Sequence, residues 1–233
     1  MAAVRSYGQY CPVAKAAELL GDRWTLLIIR EMLYGPLGFT AIERGLPGIS
    51  RSVLSSRLRR LQRDGIIERQ PDGRYRFTTA GEALRPVVHA LGEWVARWVL
   101  SAPEPSELDP ELLMLFISRH VNRDALPPGR TVIQFEFPGV PTRRIWMTLE
   151  PGDVSVCLSD PSLPIDLFVT GSVSDLFEVY MGRITLAAAL TEGRVRLDGA
   201  RSAVRGFHRW MRWSSFADAA RAGAVNRPTA RRP

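Results

Sequence analysis

In the first 80 residues of this chain, helix breakers recur at short intervals: Gly21, Gly35-Pro36, Gly45, Pro47-Gly48, Gly65 and Pro71-Asp72-Gly73. No long helix survives that punctuation, so the front of the chain must be built from short elements. Cys11 to Leu20 reads as a short amphipathic helix, with Pro12 tolerated in its first turn. Asp22 is placed to cap a second helix, Arg23 to Tyr34, with Trp24, Leu27 and Ile28 turned to a core. Thr40 and Glu43 form a capping-box pattern for a third helix ending near Gly45. Ser50 caps a fourth, which runs to about Asp64 and stops at Gly65. Ile66 to Arg69 and Arg74 to Thr78 then flank a hairpin turn. Thr79 and Glu82 open a long helix to Leu100, with Pro86 as a possible kink.

Three helices, a two-stranded hairpin and a further helix make a winged helix-turn-helix. The fourth segment carries the functional reading. At about 100° per residue, Leu54, Leu58 and Leu61 fall within about 60° of one another and form a buried face. Away from them lie Ser52, Ser55, Ser56, Arg59, Arg60 and Arg63, with no acid. A helix of this kind fits the major groove of double-stranded DNA, where arginine bridges guanine and serine reaches several base edges. Recognition helices meet bases with their N-terminal residues. Base reading therefore falls to Arg51, Ser52, Ser55 and Ser56, with Arg59 at the margin. Arg60 and Arg63 fall to phosphates, which fix register without reading sequence. Arg69, Arg74 and Arg76 bracket the hairpin and can follow a neighbouring backbone. The bland alternative is a solvated basic face on an ordinary helical domain.

Charge agrees. Residues 1–100 carry 15 basic and 9 acidic side chains, residues 101–216 carry 12 and 14, and residues 217–233 carry 4 and 1. A basic front half next to a near-neutral stretch at 101–216 suits a polyanion partner for the front half.

The runs Cys11-Pro-Val-Ala, Gly21-Asp-Arg-Trp-Thr-Leu-Leu-Ile-Ile-Arg30, Phe39 and Leu46-Pro-Gly-Ile-Ser-Arg51 resemble the HxlR-type winged helix regulators. So do Leu54, Arg57-Leu58, Leu61, Asp64-Gly65-Ile66-Ile67 and Tyr75, and the resemblance covers about residues 7–100. It implies a transcription regulator that binds a pseudo-palindromic operator as a homodimer, with the terminal helices at the dimer interface. Leu91, Trp94 and Trp98 on the stripe of the last helix suit that interface; burial against the following domain is the alternative. The resemblance also implies that Cys11 senses electrophiles or oxidants. Lys15 one turn on and the helix N-terminus both favour its thiolate. A small residue packing the first helix is the alternative reading.

Ser101-Ala-Pro-Glu-Pro-Ser106 reads as a linker. Beyond it, Asp109-Pro110 opens a helix to Val121. Strand-like alternation follows in Ile133, Phe135, Phe137, in Ile145, Met147, Leu149, in Val154, Val156, Leu158 and in Ile165, Leu167, Val169. Helices at Ser172–Met181, 186–190 and 200–213 and a strand at 195–197 complete an α+β layer, helices on an antiparallel sheet. The stretch Thr185-Leu-Ala-Ala-Ala-Leu-Thr-Glu-Gly-Arg-Val-Arg-Leu-Asp-Gly199 resembles the sterol carrier protein type 2 (SCP2) fold, with a helix, a glycine, a strand ending in glycine and a closing helix. That likeness, over about residues 106–213, implies a tunnel between sheet and helices for an apolar or lipid-like effector. Phe135, Trp146, Phe168, Phe177, Tyr180 and Trp210 are its candidate lining, and ordinary core is the alternative for each. The expected organisation is thus α+β in two domains: 1–100 winged helix-turn-helix, 101–106 linker, 107–216 SCP2-like domain, and 217–233 a disordered tail.

Other classes are disfavoured. His89, His120 and His208 are scattered, with no nucleophile setting, phosphate loop or glycine fingerprint, so neither an enzyme nor a cofactor is expected. The chance pairing of His208 with Asp166 or Asp198 is the sole acid–base alternative. No Cys/His spacing suits a metal, and Cys11 and Cys157 make no disulfide framework. No stretch of about 18 apolar residues offers a membrane span, and the first ten residues lack the apolar run of a secretory signal. The expected location is the cytoplasm, at the nucleoid.

Overall fold

The structure is a computed structural model that describes residues 6–139 and 141–226. The chain divides into two compact units, one up to Leu91 and one from Gly92. The first contains α1 (Pro12–Leu20), α2 (Thr25–Met32), α3 (Phe39–Arg44), α4 (Arg51–Arg63), the antiparallel hairpin β1 (Ile67–Arg69) and β2 (Tyr75–Phe77), and α5 (Thr79–Glu82). The first half of α6 (Arg85–Trp98) completes it. Its core joins Ile28, Ile29 and Met32 of α2 to Ile42, the three leucines of α4, Ile67 and Phe77.

Four local expectations are corrected. Asp22 does not cap α2 with its side chain, because that carboxylate is taken by arginines of α4. The helix starts at Thr25 instead, after Trp24 in the left-handed region at φ 80°. Trp24 is half-buried, whereas Leu27 is 40% exposed and does not face the core. The Thr40–Glu43 box does not form; Gly38 precedes α3 with no side-chain cap. The long helix from residue 79 is broken in two. Thr78 caps α5, its Oγ1 accepting from the Gly81 N–H at 3.2 Å. Pro86 then has no N–H to continue the ladder, and it sits in the first turn of a new helix.

The second unit contains the rest of α6, α7 (Pro110–Arg119), β3 (Thr131–Phe137), β4 (Arg143–Glu150), β5 (Asp153–Cys157) and β6 (Leu167–Gly171). Then come α8 (Val173–Tyr180), α9 (Leu186–Thr191), β7 (Val195–Gly199), α10 (Arg201–Trp210) and α11 (Ala217–Asn226). The five strands form one sheet, ordered β5-β4-β3-β6-β7. It is mixed rather than antiparallel throughout, because β3 and β6 run parallel. Hairpins occupy one edge of β3 with β4 and β5, so the chain must return along the sheet to reach the other edge. Asp166 fastens that return: its carboxylate accepts from the Val132 N–H at 2.8 Å, and its own N–H donates to the Val132 carbonyl at 2.9 Å. One sheet face, with Ile133, Phe135, Phe137, Ile145, Met147 and Leu149, packs in a core with helix residues such as Leu176, Val179 and Phe207. The opposite face carries Gln134, Glu136, Arg144, Trp146, Phe168 and Thr170.

The tail and the boundary also differ from expectation. Residues 217–226 form a helix rather than a disordered tail, and residues 227–233 lie outside the described residues. Bulky apolar periodicity is absent there, but small residues let the backbone come close. Ala217 and Ala220 are buried, and a methyl group at Gly223 would stand 2.1 Å from the Arg97 carbonyl oxygen. Phe216 fills the space over Gly92. These contacts bind the second half of α6 into the second unit, which moves the division to residue 91, ahead of the expected linker. No helix of the described residues is long and apolar enough to cross a membrane.

Glu31 fixes the end of α3 to α2. It is fully buried, bonded by Arg30 at 2.7 Å, and Arg30 also donates to the Gly45 carbonyl at 2.9 Å. A methyl group at Gly45 would lie 1.7 Å from the Glu31 carboxylate, which is held and cannot swing away. Gly45→Ala is expected to cost about 1–3 kcal/mol of stability, read from urea unfolding midpoints; an unshifted midpoint contradicts this packing.

Candidate nucleic-acid interface

The fourth helix is fixed from below and from one flank. The Ser50 Oγ accepts from the Val53 N–H at 3.3 Å and caps its start. Leu54, Leu58 and Leu61 are buried. About 60° and 120° round from Leu54 stand Arg57 and Arg60. Both reach the turn before α2. Arg57 donates to Asp22 Oδ2 at 2.9 Å, and Arg60 bonds the same oxygen. Arg60 also donates to the Glu18 carbonyl at 2.7 Å and lies 3.5 Å from Asp64. Its side chain is 17% exposed. The expectation that Arg60 meets phosphate is therefore corrected: an acid from another element, invisible on the helix itself, claims it.

Opposite the leucines, Ser52, Ser56, Arg59 and Arg63 are exposed and span about 60° of the helix surface. Arg59 donates to the Ser55 Oγ at 2.9 Å, on the half-buried flank. The Ser52 and Ser50 hydroxyls are 3.1 Å apart. Ser56 and Arg63 make no side-chain hydrogen bond or ion pair among the described residues. Arg51 is 71% exposed; it lies 3.4 Å from Glu43, with its guanidinium 5.1 Å from the Phe39 ring centroid.

The hairpin presents three exposed cations. Arg74 bonds Asp72 at 2.7 Å, Arg76 pairs with Glu68 across the strands, and Arg69 lies 5.9 Å from the Tyr75 ring. The Arg74 backbone N–H, and then its side chain, hold the Asp72 carboxyl below its ordinary range. Exposed pairs of this kind are weak and screened by salt. A dense line of phosphates outcompetes pairs of this kind.

A family model described as HxlR-like helix-turn-helix matches residues 19–102. An uncharacterized HTH-type transcriptional regulator of Bacillus subtilis, YvaP, is 35% identical over 108 residues, which are 43% of this chain and 96% of YvaP. The chain belongs to the HxlR-like helix-turn-helix family. The HTH-type transcriptional regulator YodB of B. subtilis is 37% identical over 91 residues, 36% of this chain and 81% of YodB. A crystal structure of quinone-bound YodB, 37% identical, covers 38% of this chain and 99% of that one, with a TM-score of 0.36.

The other residues singled out in this HxlR-like chain fall as follows. Cys11 is exposed immediately before α1. Lys15 is directed to Glu18 at 3.0 Å rather than to the thiol. Leu91, Trp94 and Trp98 are 46%, 58% and 57% exposed among the described residues. The six candidate tunnel residues do not gather. Phe135, Tyr180 and Trp210 are buried core, with Phe177 packed against them. Trp146 and Phe168 stand on the opposite sheet face, as register partners of Gln134. Alternation along each strand separates the two groups, and a single tunnel between sheet and helices cannot be lined by both.

The two arginine roles separate by stability. Arg60→Ala is expected to destabilise the protein by about 1–3 kcal/mol, since it strips a part-buried hydrogen-bonded charge. Arg63→Ala is expected to stay within about 0.5 kcal/mol. Urea unfolding of both variants checks this, and equal midpoints contradict the clamp on Asp22.

Proposed function

We propose that this protein is a transcription regulator that binds a pseudo-palindromic DNA operator as a homodimer, with α4 in the major groove. The carrying observation is the exposed face of Ser52, Ser56, Arg59 and Arg63, set opposite the buried leucines of a helix pinned at its flank. Arg51, Ser52, Ser55 and Ser56, nearest the N-terminal end, read base edges, with Arg59 beside them. Arg63 contacts phosphate, and Arg69, Arg74 and Arg76 follow the neighbouring backbone.

Dimer formation uses the terminal helices. Val87, Leu91, Trp94, Val95 and Trp98 on α6 and Val13 on α1 are all more than a third exposed. Apolar surface of this extent is costly to leave in water. A second copy of the chain is the partner that family membership supports.

The second unit is the regulatory half in this reading. Its sequence of α9, Gly193, β7 ending in Gly199, and α10 supports the likeness to SCP2. An apolar or lipid-like effector between its sheet and helices has to part Phe135, Tyr180 and Trp210. Cys11 is the thiol sensor, its exposure leaving it open to electrophiles. Either input acts only if it binds or modifies one DNA-binding state more readily than the other.

Gel shifts with DNA from upstream of the protein's own gene, against random duplex of equal length, test the proposal. Operator preference of at least about a thousandfold is expected. Arg59→Ala with Arg63→Ala is expected to lower affinity about tenfold or more. N-ethylmaleimide treatment of the Cys157→Ser protein is expected to weaken operator binding through Cys11. Equal affinity for both duplexes overturns the regulator reading; unchanged affinity after alkylation overturns the thiol arm alone.

A further inference from the structure

The sheet face turned away from the helices holds a hollow that neither DNA binding nor the apolar core uses. A single row crosses it. Trp146 on β4, Gln134 on β3, Phe168 on β6 and Asp198 on β7 are successive register partners. Neighbouring strands are ~4.8 Å apart, which sets the two rings about 10 Å from each other with Gln134 as the floor between them. The hollow over this row has a volume of about 590 Å³, within the range of small-molecule sites.

Its charges are not balanced. Glu136 and Arg144, in the next row, bond at 2.7 Å and cancel each other. Asp160 closes the rim, accepting among the described residues only from the Ser162 backbone N–H at 2.8 Å. The Asp198 carboxylate has no partner among the described residues. Arg196, in the next row on β7, does not line this hollow but shares with Asp198 an adjoining one, lined also by Pro138, Leu190 and Val195. Two carboxylates are thus left facing two aromatic rings.

A second observation is the kind of side chain this face carries. An open sheet face usually presents solvated polar side chains. Here Trp146 is only 7% exposed, and its indole N–H has no acceptor among the described residues. Buried donors are nearly always satisfied. The indole nitrogen is itself shielded by protein atoms, so the ring and not the N–H is what Trp146 offers to the hollow.

We infer that this hollow binds an organic cation with a flat aromatic body. The body lies over Gln134 between Trp146 and Phe168, and the positive group meets Asp198 and Asp160. Aromatic faces attract cations through their quadrupoles, and the free carboxylates add direct charge attraction. The site is separate from the DNA-facing helix and does not depend on the proposed operator binding.

The test uses the full chain without DNA and ethidium as the probe, followed by fluorescence anisotropy and by titration calorimetry. Saturable binding is expected, with phenanthridine, the neutral analogue of its ring system, binding less tightly. Asp198→Asn and Phe168→Ala are each expected to weaken ethidium about tenfold, while Asp198→Glu retains it. Asp218→Asn, which removes an exposed acid on α11, is expected to change nothing. Asp198 and Phe168 are exposed, so neither variant opens the core; circular dichroism and thermal unfolding check that each is folded. Absence of saturable binding, or equal affinity in wild type and Asp198→Asn, overturns the site whatever the outcome with DNA.

Discussion

The Asp22 carboxylate, in the turn ahead of α2, accepts from both Arg57 and Arg60 of α4. That shared anion fixes the rotation of α4 about its own axis. The buried leucines alone define which side of the helix is down, but a hydrophobic contact is non-directional and tolerates some roll. Two guanidiniums on one oxygen do not. With the roll fixed, Ser52, Ser56, Arg59 and Arg63 are held outward. The same interaction displaces the start of α2 to Thr25, because the carboxylate that would cap it is engaged elsewhere.

The buried Arg30–Glu31 pair serves the preceding turn in a comparable way. Arg30 bridges Glu31 and the Gly45 carbonyl, so the end of α3 is held against α2 by charge rather than by apolar contact alone. A part-buried charge pair of this kind contributes little net stability but strongly disfavours alternative arrangements that would leave either charge unpaired. The helix-turn-helix is thus defined twice by arginines, Arg57 and Arg60 reaching Asp22 and Arg30 reaching the Gly45 carbonyl, each linking segments separated in sequence.

Much of the fold was legible because its signals are local. Gly65 and Gly73 take positive φ where the stops and turns were expected, and Ser50 caps α4 as its position suggested. Alternation in Ile133–Phe137 and Ile145–Leu149 marked the buried sheet face correctly. What failed was non-local. A helical projection places Arg60 about 120° from the leucines, on a flank, and only the approach of Asp22 decides whether that flank faces solvent or protein. The parallel β3–β6 pair depends on how the chain returns across the sheet, which no residue pattern states. Helix α11 is built on Ala and Gly, and the close approach of Gly223 to Arg97 leaves no bulky periodicity to read. Size and aromaticity alone single out the tunnel residues, and strand alternation divides them between two faces.

The central claim is that α4 carries two classes of arginine, one spent inside the protein and one offered to phosphate. The salt dependence of operator affinity separates them most directly, because each phosphate neutralised adds about one to the slope of log affinity against log salt concentration. Arg63→Ala is expected to reduce that slope by about one, and Arg60→Gln, in protein confirmed to be folded, to leave it unchanged. The reverse result, a slope reduced by the Arg60 change and untouched by the Arg63 change, contradicts the account.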